Sequence, residues 1–367
     1  MTDDTGTILR EFAPGTRRRR LLQGLLAMGA GGASFLRFAE ALAQAPAADA
    51  AQLTVFSWPG AVPDILRDIT LPAFRQSGAG AEVRLEVGSN AAGYPRMLAQ
   101  RGNPVISGGM FNDIFTQRGR ADGMFIAFNR ALVPNSAKLP AGMETPGGVG
   151  IPFLLSPFAI MYNPDRMEAP KSWTDLYDPK LRGRIGMWDA YYDAYIMAAV
   201  AAGKPPSVEE GIRAWQPHRA NIGAWVNSPT VIEDMVSKGE MWCAPHWGSF
   251  MGQARARGGK LAFTVPREGG VQWTGHMQVC AGFNSRVTEL TQRYLDTWLS
   301  DECQAAWISR GFFSPTSTAV SVPEAASADG VVMAPAEAQR RLIRPDFERI
   351  GPEMPRLTQM IIRTLKG

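Results

Sequence analysis

Histidine and cysteine are scarce in this sequence, three of each in 367 residues. Cys243, Cys280 and Cys303 cannot all pair with one another and form no CxxC. Their settings (MWCAP, MQVCAG, DECQAAW) read as small buried apolar positions rather than redox or metal sites. The histidines stand singly at 218, 246 and 276, with no HExxH or HxH to gather them. Neither a G-x-S-x-G elbow nor a P-loop is present, so esterase and nucleotide chemistry lack their usual supports and no cofactor is expected. Excess charge is lacking too: 38 Lys and Arg stand against 34 Asp and Glu. Residues 1 to 45 hold six of the basic and four of the acidic side chains, which leaves 32 against 30 in the rest. The basic pI therefore belongs partly to the N-terminal segment, and nothing in the charge balance implies a nucleic-acid or membrane partner.

A long apolar run is also missing. Leu21 to Leu36 is diluted by Gly24, Gly29, Gly31 and Gly32 and falls short of the roughly 20 mostly apolar residues a membrane span needs. Before it stands TRRRRLLQ, Thr16 to Gln23, and after it Ala41, Ala43 and Ala45 offer small-residue cleavage sites ahead of an Ala-rich linker. The arrangement reads as a twin-arginine export signal with Arg18 and Arg19 as the pair; a disordered basic arm is the alternative. Residues 1–50 are thus assigned to a signal peptide and linker, with the remainder working in the periplasm.

What is present over the rest of the chain is an alternation of strands and helices, the pattern of α/β layers. Leu53, Val55 and Phe56 mark a strand that delivers Trp58 into a Pro/Gly turn before a helix near Asp64 to Phe74. Ala81 to Val87 alternates as a second strand, and Asn90 can cap the helix that carries Tyr94 and Met97. Ile151 to Asn163, IPFLLSPFAIMYN, is apolar enough to be a strand buried on both faces. Ser172 to Asp178 reads as a short capped turn that Pro179 breaks, followed by a strand from Arg184 to Trp188. Beyond that strand Trp188, Asp189, Tyr191 and Asp193 cluster aromatic faces and carboxylates. Asp189 is placed one turn before Asp193 on a common helical face, although Asp189 as a helix cap and Asp193 as a surface charge remain open. Met241 to Phe250 reads as a strand followed by a loop carrying His246, Trp247, Gly248 and Ser249. Helices are expected near Thr288 to Trp298, Asp301 to Ile308, Ala336 to Leu342 and Arg356 to Leu365.

The block KSWTDLYDPKLRGRIGMWDAYYD, Lys171 to Asp193, resembles the hinge-proximal segment of periplasmic solute-binding proteins that serve ABC importers, in the branch with polyamine and ferric-ion binders. The resemblance extends over most of the chain. PREGGVQW, ending at Trp273, is similar to the polyamine binders' PKEGGxxWxD, and FFSPT, Phe312 to Thr316, to their GYPTP. It implies a two-lobed type II periplasmic-binding-protein fold, an α/β architecture with the ligand cleft between lobes joined by two hinge crossings. Lobe 1 would comprise 51–155 plus 277–322 and lobe 2 156–276 plus 323–367, with crossings at Ile151–Asn163 and Met277–Phe283 and the C-terminal helices against lobe 2.

The resemblance also assigns a site. Trp58 and Trp273 match ligand-stacking tryptophans, and Asp193 matches an acidic position. Asn112 and Asp113 fall where lobe 1 faces the ligand, with Asn112 equally readable as a helix cap and Trp58 alternatively a packing residue. The WNGSA segment of the relatives aligns to His246, with Trp247 one place later. Where the polyamine binders carry a second aspartate, this sequence has Gly275. A cleft holding Trp58, Trp188, Tyr191, Trp247 and Trp273 with Asp189 and Asp193 suits a small amine-bearing or cationic organic solute, because aromatic faces and carboxylates both attract a cation. The expected function is solute capture by a monomer, without turnover, and delivery to a membrane permease, with no metal and no nucleic acid. Ferric-ion or organic-anion binding on the same fold is one alternative. An exported enzyme using His246 or His276 as a base is another.

Overall fold

The structure, a computed structural model, describes residues 51–143, 145–188 and 191–367. The export signal expected in residues 1–50 lies outside the described residues, as does Asp189. Among the described residues, twelve strands form one sheet in the order β2-β1-β3-β10-β5-β8-β6-β7, with β4 (Phe125–Ile126) and β12 (Leu342–Ile343) along β10 and β9 (Ala262–Thr264) and β11 (Ser314–Pro315) along β5.

Two long strands organise it. β5 (Ile151–Tyr162) and β10 (Gly270–Cys280) pair antiparallel from Val271↔Phe158 to Met277↔Ile151. Every residue of β10 is buried, and in β5 all but Tyr162 are, as the unbroken apolar run predicts. A bulge leaves Phe153 without a partner in the ladder, and its ring packs between Trp58, Trp298 and Trp307. β10 already enters the ladder at Gly270, ahead of the crossing expected at Met277, because Gln272 to His276 alternate between its two faces instead of forming a loop.

On one side of this ladder lie β1 (Ala51–Ser57), β2 (Ala81–Val87) and β3 (Gly108–Asn112), mutually parallel, with Asn112 opposite Gly275. On the other lie β8 (Cys243–Trp247), β6 (Ile185–Trp188) and β7 (Ile222–Val226), also mutually parallel, with Trp247 opposite Phe158. β3 runs antiparallel to β10 and β8 antiparallel to β5, so the two sets of strands point their carboxyl ends toward each other. The facing ends are separated by the stretch of β10 from Val271 to Gly275, about 13 Å at roughly 3.3 Å per residue. Open α/β sheets bind ligands beyond their strands' carboxyl ends, and here the two such rims share one space.

Helices are numbered as they enter. α1 is continuous over Val62–Ile65, Leu66–Thr70 and Leu71–Gln76, and α2 is Asn90–Ala99. Ser89, not Asn90, caps α2, its side chain accepting from the Ala92 amide. α3 (Asp113–Ala121) is capped by Asn112, which takes the Phe115 amide. α4 (Asp193–Ala201) begins at Asp193, so the four-residue spacing from Asp189 is not a turn of this helix. α5 (Val208–Trp215) packs on α4 through Gly211, where a β-carbon would sit 1.8 Å from Tyr195 O. α6 (Pro229–Ser237) follows β7, and α7 (Gly248–Ala256) follows β8 with no loop between. His246 and Trp247 are therefore strand residues, and His276 is one as well, where loops were expected. α8 (Ser285–Asp296) and α9 (Asp301–Ser309) match their expected positions. The short turn Trp173–Tyr177 carries the capping box of Ser172 and Asp175.

The tail departs from expectation. α10 (Pro335–Arg341) leads into α11 (Phe347–Ile361), which packs on α3 as well as on α5 rather than against one side alone. Arg120 of α3 pairs with Glu348 at 2.5 Å, Arg356 with Glu209, and the Tyr192 hydroxyl donates to Met354 O at 3.0 Å. Residues 344–366 thus tie the two halves of the sheet together.

Candidate functional site

Carboxyl ends of four strands deliver the aromatic residues and one acid. Trp58 follows β1, Asp113 follows β3, Trp188 ends β6 and Trp247 ends β8. Trp58, Trp188, Tyr191, His246, Trp247 and Trp273 form one continuous cluster. Trp58 and Trp273 lie 4.8 Å apart between ring centroids, Trp273 and Trp247 6.2 Å, and Trp247 lies 4.8 Å from both Trp188 and Tyr191. Each tryptophan of the cluster is buried, so the rings satisfy one another.

Trp58 is held from behind. Its Nε1 donates to Asn90 Oδ1 at 3.0 Å, the same oxygen accepts the Asn112 amide at 3.1 Å, and Asn90 Nδ2 donates to Met110 O at 3.0 Å. Asn112 is buried in this network and its own side chain is spent on capping α3. His246 points the other way from the cleft strand β10: its Nε2 lies 3.1 Å from Glu233 Oε1 on α6, and the other oxygen of Glu233 accepts from Arg257 at 3.1 Å. The His246 ring stacks parallel to Trp188, centroids 5.6 Å apart.

The opposite face of β10 is polar. Gln272, Thr274, His276 and Gln278 line it at period two, all buried. Asp113 anchors the row, its Oδ2 accepting the Thr274 amide at 2.9 Å and its Oδ1 lying 2.8 Å from His276 Nε2. A carboxylate at that distance requires the proton on Nε2. Gln272 Nε2 donates to Thr274 Oγ1 at 3.2 Å. Gln272, Thr274, His276 and Asp113 line a cleft of about 250 Å3 together with Gln117, Met143, Thr145 and the segment Arg344 to Glu348.

Asp193 joins the two faces. It is 2% exposed at the first position of α4, and its Oδ1 has no hydrogen-bond partner. Burial pushes its carboxyl up to about 7, with the charge of Asp113 adding to the rise and an amide at its own helix start partly offsetting it. Burial also raises the Tyr191 hydroxyl, and Asp193 adds to that shift. Asp193 therefore stands in electrostatic reach of both the aromatic cluster and the cleft acid. Two further cleft atoms are buried without partners, Gln272 Oε1 and His276 Nδ1, in residues 3% and 4% exposed.

Among the residues singled out from sequence, Asp113 lines the cleft, Asp193 lies beside it and the aromatic residues pack on the other face of the same strand. Gln272, Asn90 and Arg344 were not singled out. Gln272 carried a signal, polar residues at alternate positions of a strand whose neighbours are all apolar; Asn90 and Arg344 carried none. Among the described residues no group of three or more His, Cys, Asp or Glu side chains converges as a metal site.

The family model of bacterial extracellular solute-binding proteins matches residues 105–347, more than half of the chain. The chain belongs to that family. Its family is thus one of extracellular solute-binding proteins. No curated protein matches it. Solved structures share its fold at low identity. The spermidine/putrescine ABC transporter substrate-binding protein PotD from Streptococcus pneumoniae is 16% identical, with 86% of this chain and 98% of that one covered and a TM-score of 0.71. The fructose-6-phosphate-bound periplasmic binding protein AfuA from Actinobacillus pleuropneumoniae is 17% identical, covering 86% and 99%, with a TM-score of 0.69. AgtB from A. tumefaciens R10, in complex with agropinic acid, is 15% identical, covering 86% and 99%, with a TM-score of 0.70. The periplasmic-binding-protein fold is common to all of them. Within the described residues no helix is long and apolar enough to cross a membrane.

Proposed function

We propose that the protein captures a small amine-bearing or cationic organic solute in the periplasm and hands it to a membrane permease. It would be exported by the twin-arginine signal in residues 1–50, act as a monomer, and use the two lobes given above. One observation carries the ligand class: in the cleft Gln272 Oε1 is a buried acceptor without a partner, and Asp193 Oδ1, in electrostatic reach of Asp113, is another. An ammonium head is donor-only and carries the charge that a desolvated carboxylate calls for. The structural neighbours are named for spermidine and putrescine, or hold fructose-6-phosphate or agropinic acid, so the fold leaves the chemistry to these side chains.

Closure follows from differential binding, since a solute that touches Asp113 from one side and Asp193 from the other favours the closed state. The test is thermal shift with alkylamines, amino acids, organic anions and ferric iron on wild type and Asp193→Asn. At a hundredfold excess over its Kd a ligand adds about 2.7 kcal/mol of stability. Stabilisation by amine-bearing compounds that Asp193→Asn abolishes is expected. Stabilisation by anions or iron alone overturns the cationic reading, and consumption of the ligand by active protein overturns binding without turnover.

A further inference from the structure

One cation lines the same cleft as these acceptors. Arg344, at the exposed mouth, lines the same cleft as Asp113, Gln272 and His276. Its Nη1 donates to Gly142 O at 3.0 Å, and it makes no ion pair among the described residues. Among the described residues the cleft carboxylates have other hydrogen-bond or ion-pair partners, and Asp113 acts on Arg344 through its charge without pairing with it. Glu348 pairs with Arg120, Asp346 caps α11 by accepting the Arg349 amide at 3.1 Å, and Asp113 holds His276 and the Thr274 amide. A guanidinium presents five donors in a planar fork that matches a carboxylate, and one hydrogen bond to a carbonyl leaves most of them unspent.

We propose that the solute is a small zwitterion, an N–H-bearing cation at one end and a carboxylate at the other, with Arg344 as the residue that selects the carboxylate. This rests on the cationic reading of the cleft and extends it. Acceptors at one wall and a fork of donors at the mouth give a polarity that a simple amine satisfies at one end only. A cleft of about 250 Å3 also falls at the small end of ligand sites, which suits a solute of amino-acid size.

The experiment is calorimetric titration of the full mature chain with a matched set: ω-amino acids from glycine to 6-aminohexanoate, and the alkylamine and the carboxylic acid corresponding to each. For at least one chain length the amino acid should bind wild type roughly tenfold or more tighter than its amine, as a charge-assisted bidentate contact implies. In Arg344→Gln that advantage should vanish while the amine's affinity stays the same, and Arg344→Lys should restore part of it. Arg344 is exposed, and circular dichroism of each variant checks that the fold is kept. Equal binding of amines and amino acids in wild type overturns the zwitterion and leaves the cationic reading standing. Binding of the carboxylic acids alone overturns both, as does silence from the whole set. An advantage that survives in Arg344→Gln overturns the role of Arg344.

Discussion

The Trp58 indole rests on Gly275: a β-carbon there would lie 2.9 Å from Cη2 of the ring and 2.7 Å from Leu154 Cδ1. The position at which polyamine binders of similar sequence carry an aspartate is therefore filled, in this protein, by a neighbour's ring. Gly275→Asp should destabilise the protein by about 1–3 kcal/mol, the usual cost of forcing atoms into a packed interior. Adding Trp58→Ala should recover part of that loss, and a double-mutant cycle by urea denaturation reads the coupling. Additive effects would mean that the two residues do not compete for the space.

Asp193 gives the protein a pH dependence of definite sign. Its carboxyl is pushed up to about 7 from 3.8 in the unfolded chain, so between those values the folded protein holds the extra proton. The stability this group contributes is fully present below pH 3.8 and is lost as pH rises toward 7. Ligand-free protein should accordingly lose stability over that interval, and Asp193→Asn should flatten the trend. Chemical denaturation at a series of pH values checks it.

Asn90 is expected to matter more than its small size suggests. Asn90→Ala strips partners from the Trp58 indole N–H, the Asn112 amide and the Met110 carbonyl, all buried. Each group left unpaired costs about 1–3 kcal/mol. Loss of stability together with a shifted tryptophan emission is the expected result, and a change in stability below about 0.5 kcal/mol would sink the idea that Asn90 holds the ring.

The cysteines should behave as hydrophobic residues. All three are buried and unpaired, and burial pushes Cys243 and Cys280 up to about 12 and Cys303 well above the ordinary thiol range. A thiol reagent should label none of them in the folded protein and all three in guanidinium, since the thiolate is the reactive form.

The parts of this fold that were legible in sequence are those where local chemistry and tertiary burial agree. The apolar run from Ile151 and the capped turn from Ser172 appear where sequence places them. His246 and Trp247 belong to β8 and not to a loop after it, since Gly248 starts α7 directly, where a β-carbon would come 3.1 Å from Val331 O. α11 was masked by Pro352 and Pro355, which local rules place at helix ends; the packing of Phe347, Leu357 and Ile361 overrides them. The aromatic half of the site could be read from strand endings. The polar half could not, because Asp113, Asp193 and Arg344 are 80 or more residues apart in the chain for each neighbouring pair and only the sheet order brings them to one space.

That sheet order has a mechanical consequence. The chain passes between the two strand sets through β5 and β10, which are hydrogen-bonded to each other from Val271 to Met277, and neither passage is a loop with a free joint. Rocking of one set against the other must be absorbed as added twist spread over this paired ribbon, while its rungs stay closed. The protein then behaves as a torsion spring rather than a door on a pin. Its amides in the ribbon should be among the slowest in the molecule to exchange with solvent, in the very place where the motion is centred.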